Sequence, residues 1–330
     1  MPDAVPLVET TRGPFLESRH FGHAVITRAN GEIVEAWGDP DKIVLPRSSH
    51  KMLQALPLVE SGAAANLTSE QLALACASHS AEDIHVTQVS AWLSDLGLDE
   101  HHLCCGPTPS LDEERRHQMI RDGQPYTRIH SDCSGKHAGF LTLARHLSAD
   151  LHYVDPENPV QRAVRSAIED MAGQESPGYG IDGCSAPNFA LSLRGMSTAM
   201  ARFATFGTGS SARDRACVAL RDAMMRHPEL VSGTRRACND LMRSANGRAA
   251  VKSGAEGFYV AILPEAKLGI ALKIEDGATR ASAAAMAALL VRCGAIDADV
   301  SNLDPYLNGP ILSFNKELVG SIRPVADLFG

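Results

Sequence analysis

Two short motifs in this chain combine the residue types of a serine nucleophile and its base. Ser48 and Lys51 form an S-x-x-K motif that opens a helical run, and this spacing places both side chains on one helix face. A serine hydroxyl attacks a carbonyl only when a base removes its proton, and a buried lysine can be that base. An alternative is that Ser48 is only a helix N-cap and Lys51 a solvated side chain, because S-x-x-K is common.

A second motif favours the catalytic interpretation. Lys252-Ser253-Gly254 ends a predicted strand that is followed by another strand. This is the context of the K-T-G motif in serine β-lactamases and penicillin-binding proteins. The two motifs also occur in the expected order, although no S-D-N motif lies between them. Together they predict a serine hydrolase that cleaves an amide through an acyl-enzyme.

Further polar clusters lie in the middle of the chain. Ser80 either caps a helix or takes part in catalysis, and its spacing does not decide between these roles. Cys133 and Lys136 open a helix and share one face, while Asp182 and Cys184 lie in a predicted turn. Two cysteines and a lysine fall short of an ordinary four-ligand zinc site, so spacing alone does not predict zinc.

The elements that position these motifs are strands at both chain ends with helices between them. Asn30-Gly31 between two alternating runs predicts a hairpin over 21–37. Period-two patterns predict strands over 248–252, 257–263 and 268–274, and a last strand over 311–322. A capping box at Thr68-Ser-Glu-Gln71 begins one helix, and Ser80-Ala-Glu-Asp83 can cap another that runs to Leu96. Further helices are predicted near 110–121, 134–147, 158–172, 197–206, 211–226, 235–244 and 279–292.

This pattern predicts an α+β fold in which one antiparallel sheet, formed by the chain ends and the late strands, carries an inserted helical subdomain. The chain 1–330 is expected to be a single catalytic domain. Its sheet subdomain is expected to cover roughly 1–45 and 246–330, and its helical subdomain roughly 46–245.

Composition excludes several classes of protein. The 330 residues are 44% hydrophobic and 21% charged, which fits a globular protein and excludes a disordered or fibrous one. A net charge of −8 has the wrong sign for binding nucleic acid or an anionic membrane surface, and no apolar run is long enough to span a bilayer. The first residues lack a secretory signal pattern, so the eight cysteines are expected to be reduced thiols in the cytoplasm.

Five stretches resemble the class 3, or rhizobial-type, L-asparaginases of the asparaginase II family. They are Glu17–Gly22, Pro46–Lys51, Cys133–Gly139, Gly180–Pro187 and Lys252–Gly257. The resemblance implies a serine β-lactamase/glutaminase-like fold, a homodimer, and hydrolysis of L-asparagine to L-aspartate and ammonia. The nearest alternative is another serine amidohydrolase of the same fold, such as a glutaminase or a β-lactamase. A more distant alternative is a zinc-stabilised binding protein whose Ser–Lys pairs are degenerate.

The resemblance also implies roles for individual residues in catalysis. It makes Ser48 the nucleophile and Lys51 its base, and it makes Ser80 and Lys252 a second Ser–Lys pair. Asp182 would help to hold either the substrate or the second pair.

The same resemblance implies a zinc ion bound by Cys133, Lys136 and Cys184, with a water molecule as the fourth ligand. Arg47 and Cys238 are assigned to substrate binding beside Asp182. A positive ion near Lys51 would disfavour its ammonium form, so this lysine could act as a base near neutral pH. One departure from the family pattern is Ser131-Asp132 before Cys133, where Asn-rich residues are expected.

Overall fold

The computed structural model describes residues 3–207, 211–297 and 301–328. The strands are β1 (Val5–Arg12), β2 (Phe15–Thr27), β3 (Ile33–Trp37), β4 (Ile43–Val44), β5 (Tyr179–Ile181), β6 (Pro187–Phe189), β7 (Leu191–Ser192), β8 (Ala250–Ser253), β9 (Phe258–Leu263), β10 (Leu268–Ile274), β11 (Gly309–Leu312) and β12 (Leu318–Pro324). The α-helices are α1 (Lys51–Gln54), α2 (Leu56–Glu60), α3 (Ser69–Ala75), α4 (Asp83–Asp95), α5 (Glu113–Arg121), α6 (Ser134–His146), α7 (Pro159–Ala172), α8 (Leu193–Thr205), α9 (Ala212–Arg226), α10 (Pro228–Ser232), α11 (Ala237–Ala245), α12 (Thr279–Arg292) and α13 (Asp304–Leu307).

Both ends of the chain contribute strands to one antiparallel sheet. Its strand order is β11-β12-β1-β2-β10-β9-β8, and β3 pairs with β2 beside this path. Val8 of β1 lies opposite Pro324 of β12, and Ala24 of β2 lies opposite Leu272 of β10. The predicted antiparallel sheet, closed by the chain ends with helices between them in sequence, is confirmed.

The chain divides into two compact units. The first consists of Met1–Ser49, Leu191–Thr205 and Asp240–Gly330, and the second of His50–Ala190 and Phe206–Asn239. The segment that forms α8 was expected in the helical subdomain, whereas it belongs to the unit with the sheet.

Helix α8 belongs with the sheet because polar groups join them inside the core. The Ser197 hydroxyl donates to the carbonyl oxygen of Gly269 at 2.8 Å and accepts from the Thr27 hydroxyl at 2.9 Å. Both hydroxyls are completely buried, so each needs such a partner. Period-3.6 patterning predicts the helix itself but not the strands that it covers.

The second unit contains most of the helices and the small β5–β6 hairpin. Thr68 and Gln71 form the predicted capping box at the start of α3. The residue that caps α4 is Glu82, so of the two roles left open for Ser80 the capping role is wrong. Within the described ranges, no helix combines the length and the apolar character needed to cross a membrane.

The end of the chain folds as two strands where the sequence predicts one. Strands β11 and β12 are joined by a turn in which the N–H of Ser313 donates to the carbonyl oxygen of Glu317 at 2.8 Å. Lys316 has a φ of 66°, which reverses the chain direction. The apolar spacing continues across Phe314 in this turn, and for this reason the pattern does not reveal the reversal.

Candidate active site

The S-x-x-K motif lies in a 3-10 turn that runs directly into α1. This turn covers Arg47–His50, and Lys51 is the first residue of the α-helix, so the motif is helical as predicted. Arg47 has a φ of 50°, a left-handed conformation that costs a non-glycine residue about 1–3 kcal/mol. The N–H and the hydroxyl of Ser49 both donate to the Pro46 carbonyl oxygen, at 3.1 and 2.6 Å, and hold this backbone in place.

The K-S-G motif lies against this turn within the first unit. Lys252 and Ser253 end β8, where Lys252 pairs with Val260 of β9. A Cβ atom built on Gly254 would lie 2.6 Å from the Pro46 carbonyl oxygen, so glycine is needed for this close approach. The fold therefore brings the two motifs that sequence singled out to neighbouring backbone positions. Lys252 is completely buried, and its Nζ donates to the Ser253 carbonyl oxygen at 2.8 Å.

Lys51 is buried among hydrogen-bond acceptors of the second unit. Its Nζ donates to the Ala77 carbonyl oxygen at 2.5 Å, to Ser78 Oγ at 2.9 Å and to Cys133 Sγ at 3.1 Å. An Asp132 carboxylate oxygen lies 3.9 Å away. These three acceptors match the three protons of an ammonium group, and they offset the cost of burying the charge. To act as a base, this amine must first give up one of the three protons.

Cys133, Lys136 and Cys184 lie together in the second unit, as the resemblance implies. Cys133 immediately precedes α6, and Lys136 lies in the first turn of that helix. Cys184 lies in the turn between β5 and β6, where the N–H of Asp182 donates to the Ala186 carbonyl oxygen at 2.9 Å. The Lys136 Nζ is 3.0 Å from Cys184 Sγ, and all three side chains are buried.

The charges in this cluster follow from its hydrogen bonds. The thiol of Cys133 bonds to Cys184, and this bond together with burial raises the pKa of Cys133 well above its ordinary value. The same bond and the Lys136 ammonium outweigh burial and lower the pKa of Cys184 well below its ordinary value. Burial lowers the pKa of Lys136, but the Cys184 thiolate outweighs this effect and raises it. Without a metal, the cluster is a thiol, a thiolate and an ammonium group.

These residues fit a metal ion only if the lysine is one of the ligands. In the part of the chain that the structure describes, no group of three His, Cys, Asp or Glu side chains could hold a metal. Sulfur and nitrogen ligands of tetrahedral zinc lie about 3.5 Å apart. The 3.0 Å between Lys136 Nζ and Cys184 Sγ is close to this spacing. The donor set therefore fits zinc once the two thiols and the amine have lost their protons.

The predicted site residues are divided between the two compact units. Arg47, Ser48 and Lys252 belong to the first unit, and Lys51, Ser80, Asp182 and Cys238 to the second. Ser80 is completely buried and donates to Glu82, while Cys238 is buried near the start of α11. The Asp182 carboxylate is half-buried and accepts from the Gly183 N–H at 2.6 Å.

Three further residues in these surroundings were given no role in the site from the sequence. They are Ser78 and Asp132 beside Lys51, and Glu82 beside Ser80. Ser78 and Glu82 flank His79 and Ser80, a polar run that follows the apolar end of α3. That change from apolar to polar residues is the one local signal in the sequence that could have identified Ser78 and Glu82.

Comparison with known proteins gives one match to a family. A family model described as L-asparaginase II matches residues 8–324. The match therefore spans both the S-x-x-K and the K-S-G motif. Comparison of the sequence with curated proteins gives no match.

Several solved structures are similar to the chain at low sequence identity. A β-lactamase from Mycobacterium bovis is 11% identical, with a TM-score of 0.39, over 79% of this chain and 89% of that one. A structure named Mglu is 14% identical, with a TM-score of 0.46, over 86% of this chain and 69% of that one. A β-lactamase/D-alanine carboxypeptidase from Pseudomonas syringae is 14% identical, with a TM-score of 0.41, over 80% of this chain and 92% of that one. These TM-scores are below 0.5, so the description of the fold depends on the chain's own topology.

Proposed function

The chain belongs to the L-asparaginase II family, and from this premise we propose that it hydrolyses L-asparagine to L-aspartate and ammonia. The observation that carries the proposal is the family match over residues 8–324, which spans every residue assigned to the site. The whole chain would act as a single catalytic domain.

The proposed reaction passes through an ester on Ser48. The Ser48 hydroxyl attacks the side-chain amide carbon of asparagine while Lys51, as a neutral amine, takes up the hydroxyl proton. The tetrahedral intermediate then expels the amide nitrogen, which accepts that proton and leaves as ammonia. Water attacks the resulting β-aspartyl ester, gives one proton back to Ser48 and releases L-aspartate. Ser48 lies in the 3-10 turn and Lys51 begins the α-helix that continues it, and side chains three apart along a helix are neighbours, which supports the pairing of Ser48 with Lys51.

The remaining residues are proposed to bind substrate or to support this pair. Ser80 and Lys252 would form the second Ser–Lys pair. Arg47 and Asp182 offer the charges that the carboxylate and ammonium groups of an amino acid require. Cys238 would line the substrate pocket.

We also propose that Cys133, Lys136 and Cys184 hold a zinc ion. When bound, the ion would supply positive charge that disfavours the ammonium form of a neighbouring lysine. Lys51 is the lysine whose ammonium form would be disfavoured, because its Nζ lies 3.1 Å from Cys133 Sγ. Its amine would then be free to accept the proton of Ser48.

Ammonia release from asparagine and from glutamine, measured side by side, tests the proposed function. One methylene separates the two substrates, and a pocket distinguishes such a difference by about 10–200-fold in kcat/KM. We expect asparagine to be the better substrate. Faster turnover of glutamine, or hydrolysis of nitrocefin, would instead indicate another serine amidohydrolase. The absence of any turnover, with tight binding of asparagine, would indicate a binding protein.

The enzyme is proposed to be a cytoplasmic homodimer, in keeping with eight free cysteines. An apolar patch in the first unit offers a surface for a second copy. It consists of large side chains exposed near two neighbouring hairpin tips of the sheet: Phe15, Leu16, Leu312, Phe314 and Leu318. Together they expose on the order of 600 Å² of apolar side-chain surface at this end of the sheet.

Changing this patch should weaken the dimer. Phe314 is fully exposed at its hairpin tip and Leu318 is 71% exposed. Replacing both with serine should raise the dissociation constant at least about tenfold, since two large apolar contacts are lost. Analytical ultracentrifugation over a concentration series measures this constant. Ile120→Ser is the control, because Ile120 is 63% exposed on α5 outside the patch. A monomeric wild type, or equal constants for the double variant and the wild type, would contradict the assignment.

A further inference from the structure

Ser80 directs its single proton at a carboxylate. Its Oγ donates to Glu82 Oε1 at 2.6 Å, a distance typical of a hydroxyl bonded to an ionised oxygen. Ser80 is completely buried, at the end of the loop between α3 and α4. Because a hydroxyl has one proton and two lone pairs, this bond leaves the Ser80 oxygen as an acceptor toward any other group.

Glu82 is held in place by residues on both sides. Thr234 donates to it twice, from its N–H to Oε1 at 2.9 Å and from its hydroxyl to Oε2 at 3.0 Å. The N–H of Glu82 donates to Nδ1 of His85 in the first turn of α4. Burial raises the pKa of Glu82, but the bonds from Ser80 and Thr234 outweigh it and lower the pKa below its ordinary value. The carboxylate is therefore ionised and fixed in orientation.

The backbone at Gly233 packs closely against the side chains of Ser80 and Glu82. A Cβ atom built on Gly233 would lie 1.8 Å from Ser80 Oγ and 2.7 Å from Glu82 Oε1. Its φ of 114° is also a conformation that side chains disfavour. The loop that carries Thr234 can thus reach Glu82 only with glycine at position 233.

We propose that Glu82 is the positioning residue of Ser80, holding the Ser80 proton on its carboxylate so that the serine oxygen serves as an acceptor. The inference rests on the proposed function, in which Ser80 belongs to the asparaginase site. In this proposal the hydroxyl of Ser80 is oriented by the carboxylate of Glu82 and not by a lysine. Because Glu82 acts through Ser80, its loss should lower kcat while leaving KM nearly unchanged.

A double-mutant cycle on asparagine turnover tests this role. Glu82→Gln preserves the shape and one acceptor oxygen but removes the charge, and kcat should fall about tenfold with KM within about twofold. Ser80→Ala should lower kcat by about a hundredfold. In the Ser80→Ala background, adding Glu82→Gln should change kcat by less than about twofold, because the group that it positions is gone. Glu82→Asp restores the charge without the reach and should stay about tenfold below the wild type.

Thr234→Val is the matched control for a purely structural role of this carboxylate. It removes the hydroxyl donor to Oε2 but keeps the Thr234 N–H, which still holds Oε1, the oxygen that accepts from Ser80, so kcat should stay within about twofold of the wild type. Equal losses from Glu82→Gln in both backgrounds would show that the carboxylate only supports the loop, and so would an equal loss in Thr234→Val. Either result overturns the inference. Failure of the proposed function is a separate outcome, since it requires that the wild type itself releases no ammonia from asparagine.

Discussion

Replacing Ser48 with alanine is expected to lower kcat for asparagine by about four to six orders of magnitude. The change removes the oxygen that would form the ester with the substrate. Lys51→Met should cause a loss of similar size, because it removes the proton acceptor while keeping most of the side-chain volume. Ammonia release under saturating asparagine measures both effects.

Ser49 provides a control within the same turn. Its hydroxyl donates to the Pro46 carbonyl oxygen, which the Ser49 N–H also reaches, so Ser49→Ala leaves that oxygen with a partner. The control should retain kcat within about tenfold of the wild type. Near-wild-type turnover in both Ser48→Ala and Lys51→Met would refute the Ser–Lys mechanism. An equal loss in Ser49→Ala would show that damage to the turn explains the effect.

The second large effect concerns metal content. Protein purified without added zinc is expected to carry about one zinc ion per chain, and Cys184→Ala about none. The substitution removes the thiolate that contacts both Cys133 and Lys136, so the remaining two donors cannot close a site. A ligand held at a thousand times its Kd stabilises a protein by about 4 kcal/mol, so chelation should lower the Tm by about 5–10 °C. Elemental analysis and thermal denaturation measure the two effects.

Cys105 is the matched cysteine for this experiment. It is buried like Cys184, but its thiol donates to the Arg128 carbonyl oxygen, and burial raises its pKa to about 11. Cys105→Ala should therefore keep the metal and respond to the chelator as the wild type does. Unchanged metal content in Cys184→Ala would show that Cys184 is not a zinc ligand.

Local sequence signals predicted much of the fold correctly. The Asn30-Gly31 turn joins β2 to β3, the capping box at Thr68 begins α3, and the alanine-rich segment Thr279–Arg292 forms α12 at its predicted bounds. Each of these features depends on residues a few positions apart, so tertiary contacts are not needed to predict it. The reversal at Phe314 was missed because no Gly or Pro marks it.

The surroundings of the site could not be predicted in the same way. Spacing identifies Ser48 and Lys51, but the acceptors around Lys51 come from positions 26, 27 and 82 residues away. Ser80 has the residue type of an N-cap, yet the helix begins later and Glu82 takes that position. Burial then gives the hydroxyl of Ser80 a partner that spacing could not identify.

The pairing of β1 with β12 has a consequence for biosynthesis. Thr11 and Ser321 lie side by side although 310 positions separate them, so β1 leaves the ribosome long before the strand with which it pairs. During that interval the β1–β2 hairpin exposes an unpaired edge, and contacts of such long range form slowly. Yield in recombinant expression should therefore depend on the rate of folding and on chaperones more than on the stability of the finished protein.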